Sequence, residues 1–221
     1  EDKSKIIEKY NIECEVTNTG TIHAAHSKMG LLNLQYRKTE WDRLGAPVDL
    51  LSADETAELT GTRRFYGALV DNRAGTINPM GYCSGLARAA LKNGAKLTTN
   101  CRVHDIIKEN DGWRLITADG ELKAKYVILG TNAYTDNLWP GLIQTFTRIN
   151  YFNCATLPLG KRIKDVLPKR QGLWDTGKIM FSLRRDKYDR LIIGSMGRVH
   201  GNRKGGITKQ WASAQLRRLF P

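Results

Sequence analysis

No CxxC pair occurs in the 221 residues, and the four cysteines, Cys14, Cys83, Cys101 and Cys154, stand far apart. That spacing excludes a zinc motif and a small disulfide framework, and fits reduced, mostly buried thiols in a cytoplasmic protein. No apolar run approaches the roughly 18 residues a membrane span needs. No low-complexity tract argues for disorder, and no signal-peptide pattern is visible. His23 and His26 stand three apart with no third ligand nearby, so no metal site is expected. Acidic residues are also short: 22 Asp and Glu face 35 Lys and Arg, a net charge of +13. The excess is spread over Lys161-Arg162-Lys164, Lys169-Arg170, Arg184-Arg185-Lys187, Arg203-Lys204 and Arg217-Arg218, without the interleaved aromatics of an RNA-recognition module. It reads as solvated surface, and no specific nucleic acid is expected as a partner.

What is present is a mixed pattern of short strands and amphipathic helices, 41% hydrophobic with five Trp, enough for a core. The fold class is α/β with α+β character. Residues 4–10 read as the end of a helix and 12–25 as two short strands around Thr19-Gly20. Residues 27–44 carry apolar side chains at helical spacing, and Gly45 follows as a stop. Ser52 and Glu55 form a capping box opening a helix that ends at Gly61. Residues 65–71 read as a strand. Asn78-Pro79 starts the clearest helix, with Tyr82, Leu86, Ala89 and Ala90 as its apolar stripe and Gly94 as its end. Residues 95–98 and 103–107 read as strands. The Asp111-Gly112 and Asp119-Gly120 turns then divide a β-meander.

The apolar run Tyr126-Val127-Ile128-Leu129 reads as a buried strand. It ends in Gly130-Thr131-Asn132-Ala133, small residues that permit close approach to the backbone, and a short helix is expected from Tyr134. Ligands of open α/β sheets bind past the C-terminal ends of parallel strands, which makes this corner the best local candidate for touching a cofactor; an ordinary strand–helix turn is the alternative. Beyond Pro140 the pattern changes to longer strands, at 149–156, 179–183 and 191–193. This divides the chain into one unit of residues 1–74 and 139–221 and another of residues 75–138, which holds the Gly130 corner.

Taken in order, Thr19 to His26 (TGTIHAAH), Gly75 to Ala90 (GTINPMGYCSGLARAA), Gly94-Ala95, residues 103–106, Tyr126 to Thr135 (YVILGTNAYT), residues 155–159 (ATLPL), Asp175-Thr176 and residues 191–197 make the chain similar to the glycine/D-amino-acid oxidase family of flavoproteins. The resemblance is nearest to that family's γ-glutamylputrescine-oxidase-like branch. It implies the middle part of an FAD-dependent oxidoreductase fold, because the family opens with a strand–GxGxxG–helix unit and closes with a Gly-rich segment near the flavin, and this chain holds no GxG. Both ends therefore read as cut. The resemblance implies that residues 1–74 and 139–221 are a substrate-type unit, an antiparallel sheet with helices, and that residues 75–138 are a partial FAD-binding unit.

The resemblance also implies the activity: FAD-dependent oxidation of the C–N bond of a small-molecule amine or amino acid. Hydride passes to the flavin, the imine hydrolyses, and O2 or another acceptor restores the oxidised flavin. By position, Val103 meets the adenine end of FAD through its backbone, and Thr131, Asn132 and Ala133 lie close to the cofactor. Tyr151, Phe152, Met180 and Phe181 lie on the sheet over the flavin, with plain core packing as the other reading of those four. The family often has Tyr-Phe where Met180-Phe181 stands, which leaves substrate class open, and no catalytic residue is assigned. Two other classes stay open: a basic nucleic-acid-binding module, and a non-catalytic remnant of the flavoprotein fold.

Overall fold

Thr21–Ala24, strand β1, is buried at every position, and the larger sheet is built outward from it. This computed structural model describes residues 3–197 and 206–221; Glu1-Asp2 and the Arg203-Lys204 pair lie outside the described residues. Strands β2 (Val48–Leu51) and β3 (Ala68–Asp71) flank β1 on one side, and β8 (Gly172–Asp175), β9 (Phe181–Arg185), β10 (Leu191–Met196) and β7 (Tyr151–Ala155) on the other. The order is β2-β3-β1-β8-β9-β10-β7. Every pair is antiparallel except β1 with β8. With helices α1 (Lys3–Lys9), α2 (Lys28–Arg43), α3 (Ala53–Thr60), α4 (Pro79–Lys92) and α5 (Gly206–Leu219), the α/β class with α+β character holds.

The chain forms two compact units, Glu1–Arg88 with Asn150–Pro221, and Ala89–Ile149. These divisions fall later than the 74/75 and 138/139 positions read from composition. In the larger unit, residues paired across strands share a face, so the register sorts the side chains. Ile22, Val70, Leu173, Leu183 and Ile193 point to one side. There they join Ile163, Leu167, Ala212 and Leu219 in the main core. The other side carries Leu69 of β3 and Val48 of β2, packed with Leu34 of α2.

The helix signals act as their chemistry dictates. The Ser27 hydroxyl accepts from Gly30 N at α2. Ser52 and Glu55 complete the capping box of α3. Asn78 Oδ1 accepts from Gly81 N at α4. Gly81 and Gly85 let α4 lie against the chain at Ile12, Glu13 and Cys14, and Ala89 is buried while Ala90 is exposed.

The smaller unit is a three-stranded meander, β4 (Val103–Glu109), β5 (Gly112–Thr117) and β6 (Gly120–Ala124). Arg114 of β5 ties its neighbours together, donating to Glu109 at 2.7 Å and Glu121 at 3.0 Å.

Four expectations about strands and helices change, and so does that of mostly buried thiols: Cys14 is buried, Cys101 and Cys154 are half-buried and Cys83 is exposed. Residues 126–129 form no strand: Tyr126 is 77% and Ile128 92% exposed. A strand exists through hydrogen bonds to a neighbour, and none of the described strands lies beside this run. Residues 95–98 are likewise not a strand, and before β1 only an isolated Thr17–Thr76 bridge forms. The helix expected from Tyr134 is a 3-10 turn at Asn132–Tyr134. Strands β2 and β8 were not foreseen.

His23 of β1 sits under α2, where Arg37 donates to Nδ1 at 2.9 Å, and its ring stacks on Trp174 at 5.1 Å. Burial, and secondarily the Arg37 charge, lower its pKa from the ordinary 6.5 to about 4. The unfolded chain therefore takes up a proton near pH 6.5 that the folded chain refuses until about pH 4. Stability is full above pH 6.5 and falls between those values by about 3 kcal/mol. In urea unfolding series against pH, His23→Gln should flatten that acid-side slope. At Gly61, φ is +80° and an added Cβ would strike the Asp165 carbonyl oxygen. Gly61→Ala should lower stability by more than about 1 kcal/mol, read from the denaturation midpoint.

Candidate functional site

Alternation along β9, β10 and β7 sorts the residues expected to face substrate. Phe152 pairs with Ser195, and Ser195 with Phe181, so these three share the core side. Phe181 is 4% exposed and belongs to the main core. Phe152 packs edge-on against Trp211 of α5, 5.4 Å between ring centres. Tyr151 pairs with Met196 on the opposite side and is 45% exposed. Its phenol oxygen lies 2.7 Å from Ser182 Oγ. Met180 stands just before β9, where Ser195 Oγ donates to its carbonyl at 2.9 Å. The four residues therefore divide: Tyr151 on the open face, Phe152 and Phe181 behind it, and Met180 at the strand entrance.

The open face holds groups that sequence reasoning missed. Asn153, Ser182 and Arg184 all share the side of Tyr151 by register. Gly194 lies among them, and a Cβ there would come within 2.7 Å of the Tyr151 ring and 2.9 Å of the Phe152 carbonyl oxygen, besides striking Asn153 Oδ1. The alternation of FSLRR and YFNC carried this signal, but without the pairing register it did not say which parity faces outward.

The turn entering this region is fixed by Asp175. Its Oδ1 accepts from Phe181 N at 3.0 Å, and burial raises its pKa. Beside it, Thr176 Oγ1 and His26 Nδ1 are 2.7 Å apart.

The residues expected to touch a cofactor fall in two clefts of the smaller unit. Val103, at the start of β4, lines a cleft of about 870 Å³ with Ile106, Trp113, Trp139 and the cations Arg102 and Lys108. Arg102 pairs with Asp136 at 2.6 Å, and Trp113 meets Trp139 edge-on at 5.8 Å. Thr131, Asn132 and Ala133 line a second cleft of about 550 Å³ with Leu129, Thr135 and Phe146. Thr131 and Thr135 hydroxyls are 2.8 Å apart, Asn132 takes the left-handed φ of +41°, and a Cβ on Gly130 would meet nothing within 4 Å.

These features fit parts of FAD. One cleft offers an aromatic and apolar wall with a half-buried Val103 backbone, and the other an open corner of small residues. The glycine-rich turn ahead of a helix, which seats a pyrophosphate, is not among the described residues. No group of three or more His, Cys, Asp or Glu is placed to hold a metal ion among them either.

Known proteins resemble this chain in sequence and in fold. The family model described as FAD dependent oxidoreductase, DAO, matches residues 4–221. Gamma-glutamylputrescine oxidoreductase of Escherichia coli strain K12 is 28% identical over 218 residues, which is 97% of this chain and 50% of that protein. Among solved structures, glycine oxidase from Geobacillus kaustophilus superposes with a TM-score of 0.76 at 19% identity, covering 99% of this chain and 59% of that one. L-proline dehydrogenase from P. horikoshii gives 0.77 at 18%, with the same coverage. These two likenesses show the fold. The chain spans about half the length of the curated relatives it matches. With the family match running over nearly its whole length, the chain belongs to the DAO family of FAD dependent oxidoreductases.

Proposed function

We propose that the intact protein oxidises the C–N bond of a small amine or amino acid with FAD as cofactor. The family match across residues 4–221 carries this reading, and the relative named gamma-glutamylputrescine oxidoreductase supports an amine substrate. In this reading the unit Ala89–Ile149 contributes to holding FAD, with Val103 at the adenine end and Thr131, Asn132 and Ala133 at the open corner. The unit containing β7, β9 and β10 presents the substrate face. Bound FAD supplies the acceptance of a hydride from the carbon that bears nitrogen.

This chain's own residues orient the substrate. The Tyr151–Ser182 hydroxyl pair has an oxygen free to accept from a substrate N–H, and Asn153 offers both a donor and an acceptor. Arg184 is a cation on that face, suited to a carboxylate when the substrate is an amino acid. Asp175, through Phe181 N, and Ser195, through the Met180 carbonyl, fix the strand entrance at Met180-Phe181. Phe152 and Phe181 back the face from the core side.

Anaerobic mixing of the intact protein with a panel of amines and amino acids should bleach the flavin absorbance band. Intact protein that folds without flavin would sink the proposal. At the open corner, Ala133→Leu should weaken FAD binding at least tenfold, since overpacking a close approach costs about 1–3 kcal/mol. Ala90→Leu, at an exposed position of α4, should leave flavin affinity unchanged. Equal affinity in both variants removes this corner from the site. On the substrate face, Gly194→Ala should displace the Tyr151 ring and raise KM while the visible flavin spectrum stays as in the wild type.

A further inference from the structure

One row of paired residues crosses the larger sheet from β3 to β7: Leu69, His23, Trp174, Ser182, Gly194 and Asn153. Paired residues share a face, so all six lie on the side of the Tyr151–Ser182 pair. Helix α2 covers the start of the row, where Leu34 packs with Leu69 and Arg37 donates to His23. The row emerges at Trp174, which is half-buried like Ser182, while Asn153 at the far end is exposed.

The direction of the Trp174 ring follows from its partner. The His23 and Trp174 rings stack with centroids 5.1 Å apart and planes 27° from parallel. Their strands are also about 5 Å apart, so the stacking axis runs from strand to strand. One indole face therefore lies against His23, and the other is turned toward β9 and Ser182. Beyond Ser182, a Cβ on Gly194 would come within 2.7 Å of the Tyr151 ring, so that ring lies over β10. Its phenol oxygen is 2.7 Å from Ser182 Oγ. Two aromatic rings thus flank Ser182, whose small side chain is the floor between them.

We infer, on the reading of this face as the substrate face, that Trp174 is a specificity-determining residue. Its second indole face and the Tyr151 ring are the walls of a slot over Ser182. The slot takes an unbranched carbon chain ending in a primary amine and turns away a substituent on the carbon that bears nitrogen. The walls rise from β8 and β10, two strand spacings or about 10 Å apart. A chain touching both uses about 7–8 Å of that, at about 3.5–4.0 Å per contact, which leaves too little for a second carbon beside it. The nitrogen donates to the Tyr151–Ser182 oxygens and, when charged, is attracted by the indole face. Arg184 stands two residues further along β9, about 7 Å away, where it meets a carboxylate carried on the same chain.

The test reads binding by calorimetry in the intact protein, anaerobically and with the flavin reduced by dithionite, so that no oxidation competes. The probes are 5-aminopentanoate; 5-aminohexanoate, which adds one methyl on the carbon bearing nitrogen; and pentanoate, which lacks the amine. The wild type should bind the first at least tenfold tighter than either of the others. Trp174→Ala should weaken that binding several-fold and narrow the preference over 5-aminohexanoate to less than threefold. Trp174→Phe, which keeps a flat ring, should retain most of both. If Trp174→Ala unfolds by circular dichroism, Trp174→Leu takes its place with the same expected losses. Pentanoate binding as tightly as 5-aminopentanoate, equal affinity for the two amines, or an undiminished preference in the folded Trp174 variant each overturns the slot. The oxidoreductase reading fails separately: a protein with the expected affinities whose flavin no amine bleaches keeps the slot and loses that reading.

Discussion

The parallel ladder between β1 and β8 is the constraint on which the larger unit depends. It pairs Ile22 with Leu173 and His23 with Trp174, residues about 150 positions apart in sequence. Through it the early strands β2, β3 and β1 and the late strands β8, β9, β10 and β7 become one sheet. Ile22 and Leu173 are both buried at this seam, and emptying such a position costs about 2–5 kcal/mol. The seam also sets parity. Because Ile22 faces the core, His23 must face α2, and the same row logic carries across the sheet until it leaves Tyr151 outward and Phe181 inward.

Local chemistry was legible where a signal is completed within a few residues. The Ser52–Glu55 box and the Asn78-Pro79 start depend on neighbours three or four positions away, and each stands where its residues place it; the two meander turns lie one residue earlier than expected, at Asn110-Asp111 and Ala118-Asp119, with Gly112 and Gly120 opening the following strands. Strands β2 and β8 were not legible, because VDLL and GLWD become strands through partners far along the chain. The run at 126–129 shows the opposite case. It has the composition of a two-face-buried strand, yet composition does not supply the neighbour whose carbonyls and amides would make it one.

The candidate site divides in the same way. The family resemblance pointed to Tyr151, Phe152, Met180 and Phe181, on β7 and at the entrance to β9, with core packing as the other reading. Which of them face outward was not legible, since a one-residue difference in register exchanges the two faces. Asn153, Ser182 and Arg184 are ordinary surface types in sequence and gain meaning only through their row on the sheet. The family resemblance supplied the cofactor and the redox chemistry. The register supplied the division of labour between a polar, open side and a packed aromatic backing.

The exposed run Tyr126-Val127-Ile128-Leu129 has a colloidal consequence. Unpaired backbone amides beside β-branched and aromatic side chains form a ready template for another copy of the same segment. The formal charge of +13 opposes that encounter through long-range repulsion. The repulsion is screened over about 10 Å at 0.1 M salt and about 3 Å at 1 M, whereas the apolar attraction is not. The two forces therefore part company with ionic strength. Rising ionic strength is expected to favour pairing through this segment, an order opposite to that of proteins whose assembly is held by surface ion pairs.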